Sequence, residues 1–158
     1  MPENGPRIAN QFRQLENWLI GNLETHVKQR ILVVDDESVI GETLKAYLEA
    51  QGFGVSVLTD AVGLVPILDS EFYELVILDL ALADADGLEV LELLKEKHPK
   101  LPVLILTGMG YDDELMREAM RLRADGYMSK TVALPHLVAE VRRILRGANA
   151  AVKTATGT

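Results

Sequence analysis

Five short apolar runs, separated by segments whose apolar residues recur at helical spacing, constrain this chain more than any other feature. Ile31-Leu32-Val33-Val34 ends on Asp35 and Asp36, Leu75-Val76-Ile77-Leu78 on Asp79, and Val103-Leu104-Ile105-Leu106 on Thr107. Tyr127-Met128-Ser129 leads into Lys130, and Val55-Ser56-Val57-Leu58 supplies the remaining run. Runs of this length, rich in Val and Ile, read as strands buried on both faces of a parallel sheet. Ligands of such sheets bind just beyond the carboxyl ends of the strands. The pattern therefore directs three carboxylates, one hydroxyl and one ammonium to a single crevice.

The strands are expected near 31–35, 54–58, 75–79, 102–107 and 126–129, and the helices between and after them near 38–51, 61–69, 87–98, 112–123 and 134–146. Local signals set these limits. Gly52 suits the left-handed position after a helix, Pro99 follows a helix end, and Asp86 with Glu89 three residues later forms a capping box. Alternation of this kind implies right-handed crossovers with helices on both faces, so the fold class is α/β, a doubly wound five-stranded parallel sheet. Strand order 2-1-3-4-5 would set Asp35, Asp36 and Asp79 beside one another at the switch point.

Two segments lie outside the alternation. Ile8, Phe12, Leu15, Leu19, Leu23 and Val27 recur every three or four residues, which predicts an additional N-terminal helix from about 7 to 28, after an irregular start over residues 1–6. Gly21 costs such a helix about 1 kcal/mol relative to Ala, so its stripe is expected to need cover. That cover is its own domain, a second copy in a dimer, or a docked partner, with Trp18 buried wherever it docks. After Arg146 small residues without a period read as a flexible tail or linker stump, giving a division into 1–28, 29–147 and 148–158. The chain is long enough to bury a core unaided, and its lack of Cys excludes disulfides and thiolate metal sites. No basic-then-apolar leader and no apolar stretch of bilayer length occurs, so a cytoplasmic protein with no membrane role is expected. A net charge of -8 argues against nucleic acid as a partner, since phosphate contacts need clustered Lys and Arg.

Taken together, Val33-Val34-Asp35-Asp36-Glu37, Ile77-Leu78-Asp79-Leu80 with Gly87 eight residues after Asp79, Leu106-Thr107-Gly108 and Asp125-Gly126-Tyr127-Met128-Ser129-Lys130 resemble the receiver domain of two-component response regulators. That is the CheY-like superfamily, with a flavodoxin-like fold, and the resemblance covers about residues 29–147. Independently of it, three crowded carboxylates either share protons or recruit a cation, and Mg²⁺ (or Mn²⁺) favours oxygen ligands. The resemblance implies Asp36 as direct metal ligand, Asp35 acting through water, and Asp79 completing the set with the backbone carbonyl of Ala81. It also implies phosphorylation of Asp79 by a histidine kinase or histidine phosphotransfer protein, with Lys130 and Thr107 neutralising phosphoryl oxygens and Gly108 leaving room. Thr107 and Tyr127 would form the switch, Thr107 drawn to the phosphoryl group and Tyr127 turning inward. A downstream protein would then read the fourth helix, fifth strand and fifth helix of the alternating pattern, near 112–123, 126–129 and 134–146. Such a domain signals; it is not expected to be an enzyme.

The chain departs from that pattern in places. Thr131 follows the lysine where relatives have proline, Ala83 replaces another usual proline, and Arg123 occupies a helix end that commonly carries glycine, where a left-handed conformation would strain it. Ala81 and Met109 stand where, in the family this chain resembles, residues influence how long the acyl phosphate survives; neither supplies an acid or amide to guide a hydrolytic water, so the resemblance implies slow self-hydrolysis. Singly, the site residues have plainer explanations: Asp35 and Asp36 complement the next helix's dipole, Asp79 ends a strand, Thr107 is an ordinary strand residue and Lys130 is a solvated lysine. Two other functions stay open. One is a receiver-like interaction module that takes no phosphate; the other is an aspartyl-nucleophile phosphatase, although haloacid dehalogenases carry a second Asp where this chain has Ala81. Asp84-Ala85-Asp86-Gly87 fails as a calcium loop because Leu82 and Leu93 fall at ligand positions. His26, His98 and His136 show no ligand spacing and are expected at the surface.

Overall fold

A computed structural model describes residues 5–109 and 112–156. Arg30–Val34 (β1), Gly54–Leu58 (β2), Leu75–Leu78 (β3), Val103–Thr107 (β4) and Gly126–Ser129 (β5) form one parallel sheet in the order β2-β1-β3-β4-β5. The helices are Gly5–His26 (α1), Ser38–Ala50 (α2), Leu64–Ser70 (α3), Gly87–Lys97 (α4), Asp113–Arg121 (α5) and Leu134–Thr156 (α6). Every residue of β3 and β4 is buried, as a strand covered on both faces requires, and this is why those segments read as unbroken apolar runs. Successive residues serve opposite cores. Ile31, Val33, Ile77, Leu104 and Leu106 pack with Leu48 and Val141 on the α2 and α6 face. Leu32, Val34, Val76, Leu78 and Ile105 pack with Leu64, Leu91 and Ala119 on the face covered by α3, α4 and α5.

Polar residues fix the ends of these elements. Asp86 caps α4, its Oδ1 accepting the Leu88 N–H at 2.9 Å rather than the Glu89 N–H that the expected box would use. The helix expected from 61 begins at Leu64 instead, because Asp60 Oδ1 accepts the Gly63 N–H at 3.1 Å and Asp84 takes the Ala61 N–H at 2.9 Å, holding residues 60–63 as a turn. Arg123 is left-handed, φ 69°, as its place after a helix demands, and its guanidinium donates to the Lys95 carbonyl at 3.3 Å. Below the sheet, Lys95 Nζ donates to Asp125 Oδ2 at 2.7 Å and to the Leu101 carbonyl at 3.0 Å. The same Asp125 oxygen accepts the Val103 N–H at 2.8 Å, which ties α4 to the start of β4.

Two expectations are corrected at the termini, and one of three alternatives is removed. Residues 148–156 are not a loose tail, since α6 runs unbroken to Thr156. Ala148, Ala150 and Ala151 carry the highest helix propensity, and Thr154 Oγ1 donates back to the Ala150 and Ala151 carbonyls at 3.3 and 2.9 Å. Gly5 and Pro6 open α1 rather than an irregular start, because proline in a first turn forfeits no helical bond. Residues 1–4, 157 and 158 lie outside the described residues. Finally, the α1 stripe does not dock on its own domain, for Phe12 and Trp18 are 62% and 61% exposed and Ile8, Leu15, Leu19 and Leu23 are exposed with them. Among the other surface expectations, His136 is exposed. His98 is only partly so, its Nε2 buried 3.8 Å from Asp69. The side chain of His26 falls outside what is described. No described helix is long and apolar enough to cross a membrane.

Candidate phosphoacceptor site

The ladder runs one residue past the strands. The Asp35 N–H donates to the Leu58 carbonyl at 3.0 Å, Asp79 to Val34 at 2.9 Å, and Lys130 to Thr107 at 2.9 Å. Register alone therefore sets the residues after β1, β3 and β5 on one edge beside the end of β4. Asp35 and Asp79 are each 2% exposed and Thr107 is fully buried. Asp36 is half-buried beside them, and each of the three acids offers an oxygen within 4.8 Å of the others.

Lys130 crosses this crevice. Its Nζ donates to Asp79 Oδ2 at 2.7 Å and to Glu37 Oε1 at 3.0 Å, and lies 2.9 Å from Asp35 Oδ2. The second oxygens are occupied by backbone: Asp79 Oδ1 accepts the Ala81 N–H at 3.1 Å, and Asp35 Oδ1 accepts the Glu37 N–H at 2.9 Å. Thr107 Oγ1 accepts the Met109 N–H at 3.3 Å, which leaves its own proton to donate. Burial pushes the Asp35 carboxyl above its usual range, outweighing Lys130 and the Glu37 amide. For Lys130, burial opposes the charge, yet its hydrogen bonds to Asp35, Asp79 and Glu37 together hold the ammonium well above the ordinary lysine value.

The expected residues thus converge, and Glu37 joins them although sequence reasoning passed over it. Its adjacency to the acid pair was the available signal. Gly87 explains itself through packing: a Cβ there would lie 2.3 Å from Leu80 Cα, so only glycine lets the start of α4 press against the segment after Asp79. At Gly108 an added methyl would meet just Lys130 Cδ, at 3.6 Å, so that side of the crevice is open. Tyr127 packs its ring on the α3, α4 and α5 face, and its hydroxyl is buried without a hydrogen-bond partner among the described residues. Burial, then the charge of Asp112, pushes its ionisation upward.

The donor set suits a hard cation. Three carboxylates (Asp35, Glu37 and Asp79) share one ammonium, Asp36 stands beside Asp35 and Asp79, and the oxygens of these acids are hard ligands. Mg²⁺ or Mn²⁺ fits such a crevice, and a thiophilic metal does not.

A family model for the response regulator receiver domain matches residues 31–142. The transcriptional regulatory protein QseB of Haemophilus influenzae is 38% identical over 117 residues, which cover 74% of this chain and 52% of that protein. FixJ of Bradyrhizobium diazoefficiens, also a transcriptional regulatory protein, is 32% identical over 127 residues, 80% of this chain and 62% of the relative. The chain spans about half to three-fifths of the length of these curated relatives. A crystal structure of a CheY-like receiver domain protein from Methanospirillum hungatei superposes with a TM-score of 0.74 at 27% identity, covering 78% of this chain and 98% of that one.

Proposed function

This chain belongs to the response regulator receiver domain family, and from that premise we propose that Asp79 is its phosphoacceptor, served by a histidine kinase or histidine phosphotransfer protein. The observation that carries this reading is the Asp79 carboxylate held at 2.7 Å from the Lys130 ammonium beside two further acids. Asp79 Oδ2 attacks phosphorus, the new P–O bond forms as the donor's P–N bond breaks, and the bonding pair returns to the donor imidazole. Lys130 leaves Oδ2 for an incoming phosphoryl oxygen, and the Thr107 hydroxyl donates to another, so developing charge meets positioned donors. Asp36 directly, Asp35 through water, Asp79 and the Ala81 carbonyl would hold Mg²⁺ or Mn²⁺, which supplies positive charge to the phosphoryl oxygens when bound.

Thr107 and Tyr127 then couple the site to the surface of α5, β5 and α6, where a downstream protein reads the state. Movement of Thr107 toward the phosphoryl group favours one of two packings around the Tyr127 ring, so the chain acts by regulated binding rather than turnover. Residues 29–147 form the receiver, residues 1–28 are an extension, and the setting is the cytoplasm.

The test is incubation with Mg²⁺ and acetyl phosphate followed by intact mass measurement. One added phosphoryl group, acid-stable, base-labile and lost in Asp79→Asn, is expected. An adduct that survives Asp79→Asn overturns the assignment. Absence of both adduct and Mg²⁺ binding identifies an interaction module that takes no phosphate, and donor turnover unaffected by Asp79→Asn identifies a phosphatase using another nucleophile.

A further inference from the structure

The stripe of α1 is the large apolar surface that the phosphoacceptor reading leaves unused. Ile8, Phe12, Leu15, Leu19 and Leu23 share one side of the helix, and each is at least 45% exposed, as are Trp18 and Ile20 on its borders. A 22-residue helix with glycine in its body and this much apolar surface in water is the kind of face that an interface covers.

Three features select the occupant. Over Ile8, Phe12, Leu15 and Leu19 the stripe is palindromic about the Arg13–Gln14 bond: Ile8 mirrors Leu19 and Phe12 mirrors Leu15. Turned end for end, the helix presents the same apolar pattern to itself, which a two-fold interface requires. Charge points the same way. At about 100° per residue, Arg13 and Glu16 lie on one flank of the stripe, whereas the other flank carries Gln11, Trp18 and Asn22, with Arg7 its one charge near the N-terminal end. In an antiparallel pair like flanks meet, so Arg13 of each copy comes alongside Glu16 of the other, twice by symmetry; a parallel pair would set Arg13 and Glu16 against the flank of Gln11 and Trp18, which offers Arg13 no acid. Attachment supplies the third feature. Residues 27–29 alone separate α1 from β1, and a helix of 22 residues is about 33 Å long, so an antiparallel pair holds the two receivers at opposite ends where a parallel pair would crowd them together.

We propose that α1 is a dimerisation helix, pairing antiparallel with α1 of a second copy of this chain through Phe12, Leu15 and Leu19, with Arg13 and Glu16 setting the direction. This goes beyond the phosphoacceptor reading and does not depend on it.

The experiment is sedimentation equilibrium of the full chain over a range of micromolar concentrations, with emission of Trp18, the chain's single tryptophan, followed in parallel. A monomer–dimer equilibrium with a blue shift at high concentration is expected. Arg13→Glu and Glu16→Arg should each weaken the dimer about tenfold, and the double exchange should restore it, because single exchanges place like charges together twice. These surface substitutions leave the receiver core untouched, and an unchanged melting curve checks that. The chain has no Cys, so Ile8→Cys and Leu19→Cys chains can be mixed and oxidised. A mixed disulfide in preference to like-with-like pairs supports the antiparallel arrangement. A monomer at every concentration, preferential like-with-like crosslinks, or charge exchanges without effect would each overturn the proposal.

Discussion

Lys130→Met removes the ammonium that spans the crevice while keeping most of the apolar stem. Lys130 Nζ lies 2.7, 2.9 and 3.0 Å from carboxylate oxygens of Asp79, Asp35 and Glu37, and its side chain is 9% exposed. Without it Asp35 and Asp79, both nearly out of water, face each other with oxygens no more than 4.8 Å apart. At an effective dielectric of about 20 that repulsion is about 3.5 kcal/mol. The figure falls within the roughly 3–5 kcal/mol expected when one partner of a buried pair is removed. Glu37 is exposed and contributes little. At about 2–4 °C per kcal/mol for a chain of this size, Tm should fall by about 7–14 °C in chelator. Mg²⁺ supplied at a hundredfold its Kd returns about 2.7 kcal/mol. The gain should be larger in Lys130→Met than in the parent, because the parent's cation already occupies part of the crevice's charge. Thermal unfolding in EDTA, then across a Mg²⁺ titration, measures both effects. A variant as stable as the parent in EDTA, or one that Mg²⁺ stabilises no more than the parent, would refute the electrostatic account of this crevice.

Arg123→Gly relieves a left-handed non-glycine backbone and should raise Tm by about 2–4 °C, near 1 kcal/mol, the lost bond to the Lys95 carbonyl being long at 3.3 Å; a fall in Tm would contradict it. Tyr127→Phe deletes a buried hydroxyl with no partner among the described residues, so unfolding by urea should show stability equal to or above the parent's by about 1 kcal/mol. The pH dependence follows from Asp35, whose carboxyl is raised in the folded state by burial. The folded protein then binds more protons than the unfolded one, so this group's contribution is full below the ordinary carboxylate pKa and is lost as pH rises through the raised folded value. In chelator, the stability of the parent minus that of Asp35→Asn should therefore decline from about pH 4 upward, and a difference that rises with pH would show the sign to be wrong.

Much of this architecture was legible because buried parallel strands leave a strong sequence trace. Ile31 to Val34 and Leu75 to Leu78 are apolar at every position since both faces are covered, and register then fixes where Asp35 and Asp79 must stand. The left-handed turn at Arg123 was legible only through the resemblance, whose members commonly carry glycine there, since the residue pattern itself placed 123 in the helix. Other features depend on tertiary proximity. Glu37 reaches Lys130 across 93 positions of sequence, and Lys95 reaches Asp125 across 30, so neither pair has a local pattern. The continuation of α6 was hidden because Ala and Thr without apolar periodicity look the same in a helix and in a loose tail. The fate of the α1 stripe was hidden too, since amphipathic spacing says that a face wants cover and not what supplies it.

Thr107 sits at the end of a strand gripped from both sides. Leu104 and Leu106 interlock with one hydrophobic layer, Ile105 and Val103 with the other, and no residue of β4 reaches solvent. A tug on the last residue of such a strand has no slack layer in which to dissipate. The strand behaves as an axle seated in two bearings, so a small displacement at its tip must be shared by the helices on opposite sides of the molecule at once.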